Sequence, residues 1–279
     1  VTNADVAPVL DDKTAVIRVP GSKSVANRAL VIAALASGTS SISNLPKGDD
    51  TQAMIDALVE LGVSVAFIRD GTVEISGPIN PRAGAVLNAR LAGTTSRFLL
   101  ALGALCDVPI TVTGDEPLRN RPIGDLVDAL RYLGMVIEPQ DSRSLPLSVS
   151  KPSEVNRIGS VVTVPGDVSS QFISALMMIG PWLPQGLTIH IEGDLVSRSY
   201  VEMTAAVMAE FGATVSVADH VIVVNSGEYT ARSYGVEPDY SSAAFPIAAA
   251  VIGSRTVRIP GLANSNLQGD ARILDIVAQ

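Results

Sequence analysis

VPGSKS at residues 19–24 ends a β-type run at a small-residue turn, supplies two hydroxyls and a lysine, and leads into the apolar stretch VANRALVIAAL. The same passage recurs as LAGTTS at 91–96, VPGDVSS at 164–170 and VEPDYSS at 236–242. From Ser24 to Thr95, Ser169 and Ser241 the spacings are 71, 74 and 72 residues, so the chain is an array of similar units. Each start offers backbone N–H groups at the head of a helix together with hydroxyl donors, the ingredients of an anion site.

The remainder of each unit repeats as well. An alternating strand follows the first helix, as in ITVTG 110–114, LTIHIEG 187–193 and TVRIPG 256–261. Next comes a second helix ending at Leu-Gly or Phe-Gly, at 51–62, 123–134 and 200–212, and then two short strands such as 213–217 and 221–225. The unit therefore reads β-α-β-α-β-β, an α/β (α+β) pattern. Three complete copies are expected over about 21–238. A fourth begins near Val236, and its second helix is cut at Gln279, with Ile273, Leu274, Ile276 and Val277 lacking a partner. The chain is accordingly expected to be part of a longer one of roughly 430 residues, six such periods.

Composition narrows the class. Hydrophobic residues are 47% of the 279, enough for a core, and no run of eighteen apolar residues or basic-then-apolar leader is present, so a cytoplasmic protein is expected. One cysteine, Cys106, forms no internal disulfide, and with only His190 and His220 it makes no ordinary zinc site. Cys106 reads as a small buried filler, His190 as part of an alternating strand and His220 as a turn residue. A net charge of −8 argues against nucleic acid, yet local charge decides within about 10 Å, so small anions stay open.

Local charge is concentrated at the starts. Lys23, Ser24 and Arg28 surround the first, with Arg28 four residues after Ser24 and so on one helical face. Gly93, Thr94, Thr95 and Arg97 mark the second, and GDEPLRNRPIG at 114–124 adds Arg119 and Arg121, the latter expected to stand at a positive helix end because it lies just before Pro122, a residue suited to a first turn. Ser169, Ser170 and Gln171 mark the third, followed by Ser197, Arg198 and Tyr200. Singly, each is an ordinary cap or a solvated charge. Together, at equivalent places in successive units, they would converge on a ligand carrying several negative charges, with Arg suited to bidentate capture and Lys to a mobile point charge.

PGSKSVANRA 20–29, LAGTTSRF 91–98, GDEPLRNRPIGDLVDAL 114–130, VSSQF 168–172 and GDLVSRSY 193–200 together resemble the 5-enolpyruvylshikimate-3-phosphate (EPSP) synthase family. The resemblance implies two domains of three units each in an inside-out α/β barrel-like architecture. Here 21–238 would be the complete domain, and 1–20 with 239–279 part of the second. It implies enolpyruvyl transfer from phosphoenolpyruvate to the 5-hydroxyl of shikimate 3-phosphate through a tetrahedral adduct, with no cofactor, no metal, no nucleic-acid or membrane partner, and a monomeric full-length parent. By similarity Lys23, Ser24, Arg28, Ser169, Ser170, Ser197 and Tyr200 would bind shikimate 3-phosphate. Lys23, Gly93, Arg121 and Gln171 would hold phosphoenolpyruvate, and Lys23, touching both, is the catalytic candidate. Arg97 would support the Gly93 loop. Leu91 departs from an asparagine common in the family. The family's proton-moving acids fall beyond Gln279, so this chain alone is expected to be inactive, each lost proton step costing about 10² to 10⁴-fold. Domain closure about Pro20 and 237–239 is implied, and so is inhibition by glyphosate.

Two alternatives remain. UDP-N-acetylglucosamine enolpyruvyltransferases usually place a reactive cysteine five residues before the Arg-Pro; here that place is Glu116. A non-catalytic repeat protein that binds anions would also carry the hydroxyl-plus-cation starts.

Overall fold

The computed structural model describes residues 14–69, 71–154, 158–167, 169–262 and 267–279. Most of the expected 1–20 segment and Val168 of VSSQF lie outside them. After β1 (Ala15–Val16), the first unit runs α1 (Lys23–Leu35), β2 (Gly38–Ser43), α2 (Asp49–Glu60), β3 (Ser64–Arg69) and β4 (Thr72–Gly77). The second has β5 (Val86–Asn88), α3 (Gly93–Gly103), β6 (Ile110–Thr113), the single-turn α4 (Glu116–Arg119), α5 (Gly124–Tyr132), β7 (Val136–Glu138) and β8 (Leu147–Ser150). The third has β9 (Val161–Pro165), α6 (Ser170–Ile179), β10 (Leu187–Glu192), α7 (Arg198–Glu210), β11 (Val215–Val217) and β12 (Val221–Val224). β13 (Ser233–Gly235), α8 (Tyr240–Ile252), β14 (Val257–Arg258) and α9 (Ile273–Val277) complete the chain.

Helices α1, α3 and α6 touch one another and are buried nearly all round. Their sequences have no polar stripe, because each faces two sister helices and a sheet; a helix apolar on every side is a core helix. Fully buried Leu30, Ile32, Phe98, Leu100, Leu176 and Ile179 each contribute on the order of 2 kcal/mol. Three separate four-stranded sheets accompany them, ordered β5-β6-β8-β7, β9-β10-β12-β11 and β13-β2-β4-β3. In each, the first pair is parallel and the rest antiparallel. The helices thus lie inside the unit array, and among the described residues no sheet closes into a barrel.

The third sheet in that series is completed from far along the chain. β1, ahead of the first start, pairs in parallel with β14, which joins a part of 1–20 to a part of 239–279. The vacant edge of β2 is filled by β13, the run in front of the fourth start. An unpaired central edge would leave a row of backbone groups unsatisfied, and the returning chain supplies them. The return also lays the two crossovers side by side. Ser22 donates its N–H to the Glu237 carbonyl at 2.8 Å, and Asp239 donates to Pro20 at 2.9 Å. Gly21 sits between them, and a β-carbon there would fall 1.9 Å from the Asn44 carbonyl oxygen.

The helix after Pro122 starts at Gly124, and Arg121 lies just ahead of it in the turn between α4 and α5, its N–H donated to the Leu118 carbonyl. The unanticipated α4 takes up the intervening residues. His190 is in β10 and His220 is in the β11–β12 turn, as expected. Among the described residues no helix is long and apolar enough to cross a membrane.

Candidate functional site

The N-termini of α1 and α6, the second residue of α3 and the start of α8 meet at one cleft of about 550 Å³. Its walls carry Lys23, Ser24 and Arg28 from α1, Thr94 from α3, Ser170 and Gln171 from α6, and Tyr200 from α7. Asp239, Ser241 and Ser242 close the remaining side. Neither α1 nor α3 has a side-chain cap, whereas Ser169 accepts from the Gln171 N–H at 3.3 Å and Asp239 accepts from Ser242 at 2.9 Å. Six of the ten residues expected to bind ligand therefore line one cavity. Ser169 and Gly93 are chain neighbours of two of its lining residues, Ser170 and Thr94.

Arg28 is the most unusual of them. It is 1% exposed, and its four bonds to described residues go to neutral oxygens. Nε donates to Thr204 Oγ1 at 2.7 Å, Nη1 to the Ser24 carbonyl at 2.8 Å, and Nη2 to Ser174 Oγ at 3.0 Å and the Tyr200 carbonyl at 3.4 Å. The guanidinium also lies over the rings of Phe98 and Tyr200, at 5.4 and 5.9 Å. No described carboxylate pairs with it. Burial pushes its pKa down to about 10, against a smaller upward pull from Tyr200. It still carries a full charge at neutral pH. A buried charge without a described counter-ion is expensive, and an anion brought to this wall would offset that cost.

Lys23, by contrast, is exposed and forms an ion pair with Asp50 of α2 at 2.9 Å. Thr95 is directed to the same turn, its hydroxyl donating to the Asp50 carbonyl at 3.3 Å rather than facing ligand.

Beside the cleft, Gly93 is flanked by two cations. A β-carbon on Gly93 would stand 2.5 Å from Arg97 Nη1 and 3.1 Å from Arg121 Nη1, so only a residue without a side chain leaves both in place. Arg97 donates to the Pro122 carbonyl at 2.8 Å and lies 5.4 Å over the Phe172 ring. Burial, then the like charge of Arg121, lowers its pKa. Through the Pro122 carbonyl, Arg97 is tied to the turn that carries Arg121. Ser197 is outside the cavity lining; it has a left-handed backbone (φ 59°) and precedes α7, which carries Tyr200.

Sequence reasoning missed Asp50, Ser174, Thr204 and Asp239. A signal existed for two of these. Ser170/Ser174 and Tyr200/Thr204 repeat the four-residue spacing of Ser24/Arg28, which sets each pair on one helical face.

The family model for EPSP synthase (3-phosphoshikimate 1-carboxyvinyltransferase) matches residues 11–279. The chain belongs to the EPSP synthase family. Among curated relatives named 3-phosphoshikimate 1-carboxyvinyltransferase, that of Citrobacter koseri is 42% identical over 275 residues and that of Erwinia tasmaniensis 40% over 270. Each alignment covers 94% of this chain and 62% of the relative, so the chain spans under two thirds of their length. A solved EPSP synthase of Acinetobacter baumannii superposes with a TM-score of 0.79 at 23% identity, over 94% of this chain and 59% of that one, and shows the same fold. With this family match, the UDP-N-acetylglucosamine enolpyruvyltransferase alternative, whose reactive-cysteine place is Glu116 here, is not favoured. Cys106 is buried, and burial first, then Asp107, pushes its thiol up to about 12.

Proposed function

We propose that this chain carries the shikimate 3-phosphate half of an enolpyruvyltransferase, which moves the enolpyruvyl group of phosphoenolpyruvate to the 5-hydroxyl of shikimate 3-phosphate and releases phosphate. The observation that carries the reading is Arg28, a buried cation bonded to neutral oxygens on the wall of a cleft that Lys23, Ser24, Ser170, Gln171 and Tyr200 share. Both substrates are phosphorylated carboxylates, and fixed donors in place of water suit crowded negative charge. Lys23, Ser24, Arg28, Ser169, Ser170, Ser197 and Tyr200 are assigned to shikimate 3-phosphate. Lys23, Gly93, Arg121 and Gln171 are assigned to phosphoenolpyruvate. Arg97 and Arg121, two cations beside Gly93, support the second assignment.

In the reaction the 5-hydroxyl oxygen bonds to C2 of phosphoenolpyruvate as that hydroxyl loses its proton and C3 gains one. The C2–O bond to phosphate then breaks while a proton leaves C3, restoring the vinyl group. Lys23, an exposed and mobile ammonium, is placed to reach either substrate once it leaves Asp50. We assign residues 21–238 to one domain and 1–20 with 239–279 to a second, with the paired crossovers at Gly21 and Pro238 as the hinge. A cytoplasmic, monomeric full-length protein fits this reading.

Calorimetric titration of the 279-residue chain with shikimate 3-phosphate tests it. Saturable binding that disappears in Arg28→Met is expected, with no phosphate release when phosphoenolpyruvate is added. A folded wild-type chain that shows no heat of binding sinks the substrate assignment.

A further inference from the structure

Arg28 is aimed by two hydroxyls that no motif singled out. Thr204 Oγ1 donates its one proton to the Tyr200 carbonyl at 2.7 Å, so in its 2.8 Å contact with Ser174 Oγ it must be the acceptor. Ser174 therefore donates to Thr204, and both hydroxyls present lone pairs to the guanidinium, Thr204 to Nε and Ser174 to Nη2. Every proton in the network has one possible direction. Both side chains are completely buried, and they come from different helices, α6 and α7, gripping a cation on a third.

We propose that Ser174 and Thr204 are positioning residues that hold the Arg28 guanidinium in one orientation without neutralising it. A carboxylate in either place would orient Arg28 more strongly, through a charge-assisted pair. It would also cancel the charge offered to the ligand and repel the ligand's own anionic group. Neutral acceptors fix the fork and leave its field intact. Thr204 further ties Arg28 to the backbone of Tyr200, so the cation and the phenol move as one body. This assignment rests on the shikimate 3-phosphate reading above.

The test compares Thr204→Val, Thr204→Ser and Ser174→Ala in the 279-residue chain, each titrated with shikimate 3-phosphate and examined by nuclear magnetic resonance for the Arg28 Nε–H signal. Valine keeps the shape of threonine and removes the acceptor. Thr204→Val should weaken binding about tenfold to a hundredfold and broaden or shift the Arg28 signal, the range expected for losing a hydrogen bond to a charged group. Thr204→Ser restores the oxygen and should stay within about threefold of wild type, and Ser174→Ala should fall between. If Thr204→Val does not fold, the Ser174→Ala and Thr204→Ser pair decides. A folded Thr204→Val with wild-type affinity and an unchanged Arg28 signal overturns the positioning role alone. Equal damage from Thr204→Ser and Thr204→Val also overturns it, since packing rather than the oxygen would then matter. Failure of the wild-type chain to bind removes the substrate reading itself, and this assignment with it.

Discussion

Replacing Arg28 with methionine should leave the fold as stable as before, or more so, while removing ligand binding. The guanidinium's pKa falls from 12.5 to about 10, and at 1.36 kcal/mol per unit this corresponds to about 3 kcal/mol of cost for holding the charge in the fold. Methionine avoids that cost and keeps apolar contact with Phe98 and Tyr200. It is shorter than arginine, and the space left behind should cost about 1–2 kcal/mol. No hydroxyl is left without an acceptor, since Ser174 still donates to Thr204 and Thr204 to Tyr200. The net expectation is a change between zero and about 2 kcal/mol in favour of the variant, read as the urea midpoint at pH 8. Shikimate 3-phosphate affinity should drop at least about a hundredfold. The pH dependence has a definite sign. Below about pH 10 both folded and unfolded wild-type chains keep the proton and the cost is constant. Above it the unfolded chain binds the proton more tightly, so wild-type stability rises with pH and the advantage of the variant narrows. Destabilisation of Arg28→Met by more than about 2 kcal/mol would refute the reasoning, because Arg28 would then be a keystone of the fold rather than a cation waiting for its anion.

Other expectations follow from the same geometry. Gly93→Ala puts a methyl on the first residue of α3, where it displaces the ends of Arg97 and Arg121. Phosphoenolpyruvate binding in the presence of shikimate 3-phosphate should weaken by roughly tenfold while shikimate 3-phosphate alone is unaffected, and equal losses would mean the two cations serve the other ligand. Asp50→Asn breaks an exposed ion pair worth at most about 1 kcal/mol, so the melting temperature should barely move. Lys23 is then free, and shikimate 3-phosphate should bind a few times more tightly in calorimetry; weaker binding would show that Asp50 helps hold ligand. Cys106, buried and with its thiol pushed up to about 12, should resist disulfide reagents at pH 8 until urea unfolds the chain. Rapid stoichiometric labelling of the folded chain would contradict its burial.

The parts of this protein that sequence alone determined are those controlled by near neighbours in the chain. Turn, cap and helix period are local, so the four starts, the second helices ending at Gly62, Gly134 and Gly212, and the hairpin at Ala218 could be placed to within two residues. The four-residue spacing of Ser24 and Arg28 already put them on one helical face. The four-residue α4 ahead of Arg121 is not legible in the sequence, because so short a helix has no pattern to register.

What tertiary structure decided are the pairings between residues far apart in the chain. Whether β1 or β13 completes the first sheet depends on which one the return of the chain brings to the open edge of β2, and both runs look alike in isolation. The partners of Arg28 lie 146 and 176 residues away, and Asp50 stands 27 residues from Lys23. Local pattern carries no information about such distances, because only the packing of α1 against α6 and α7 turns a row of ordinary serines and threonines into the support of a buried cation.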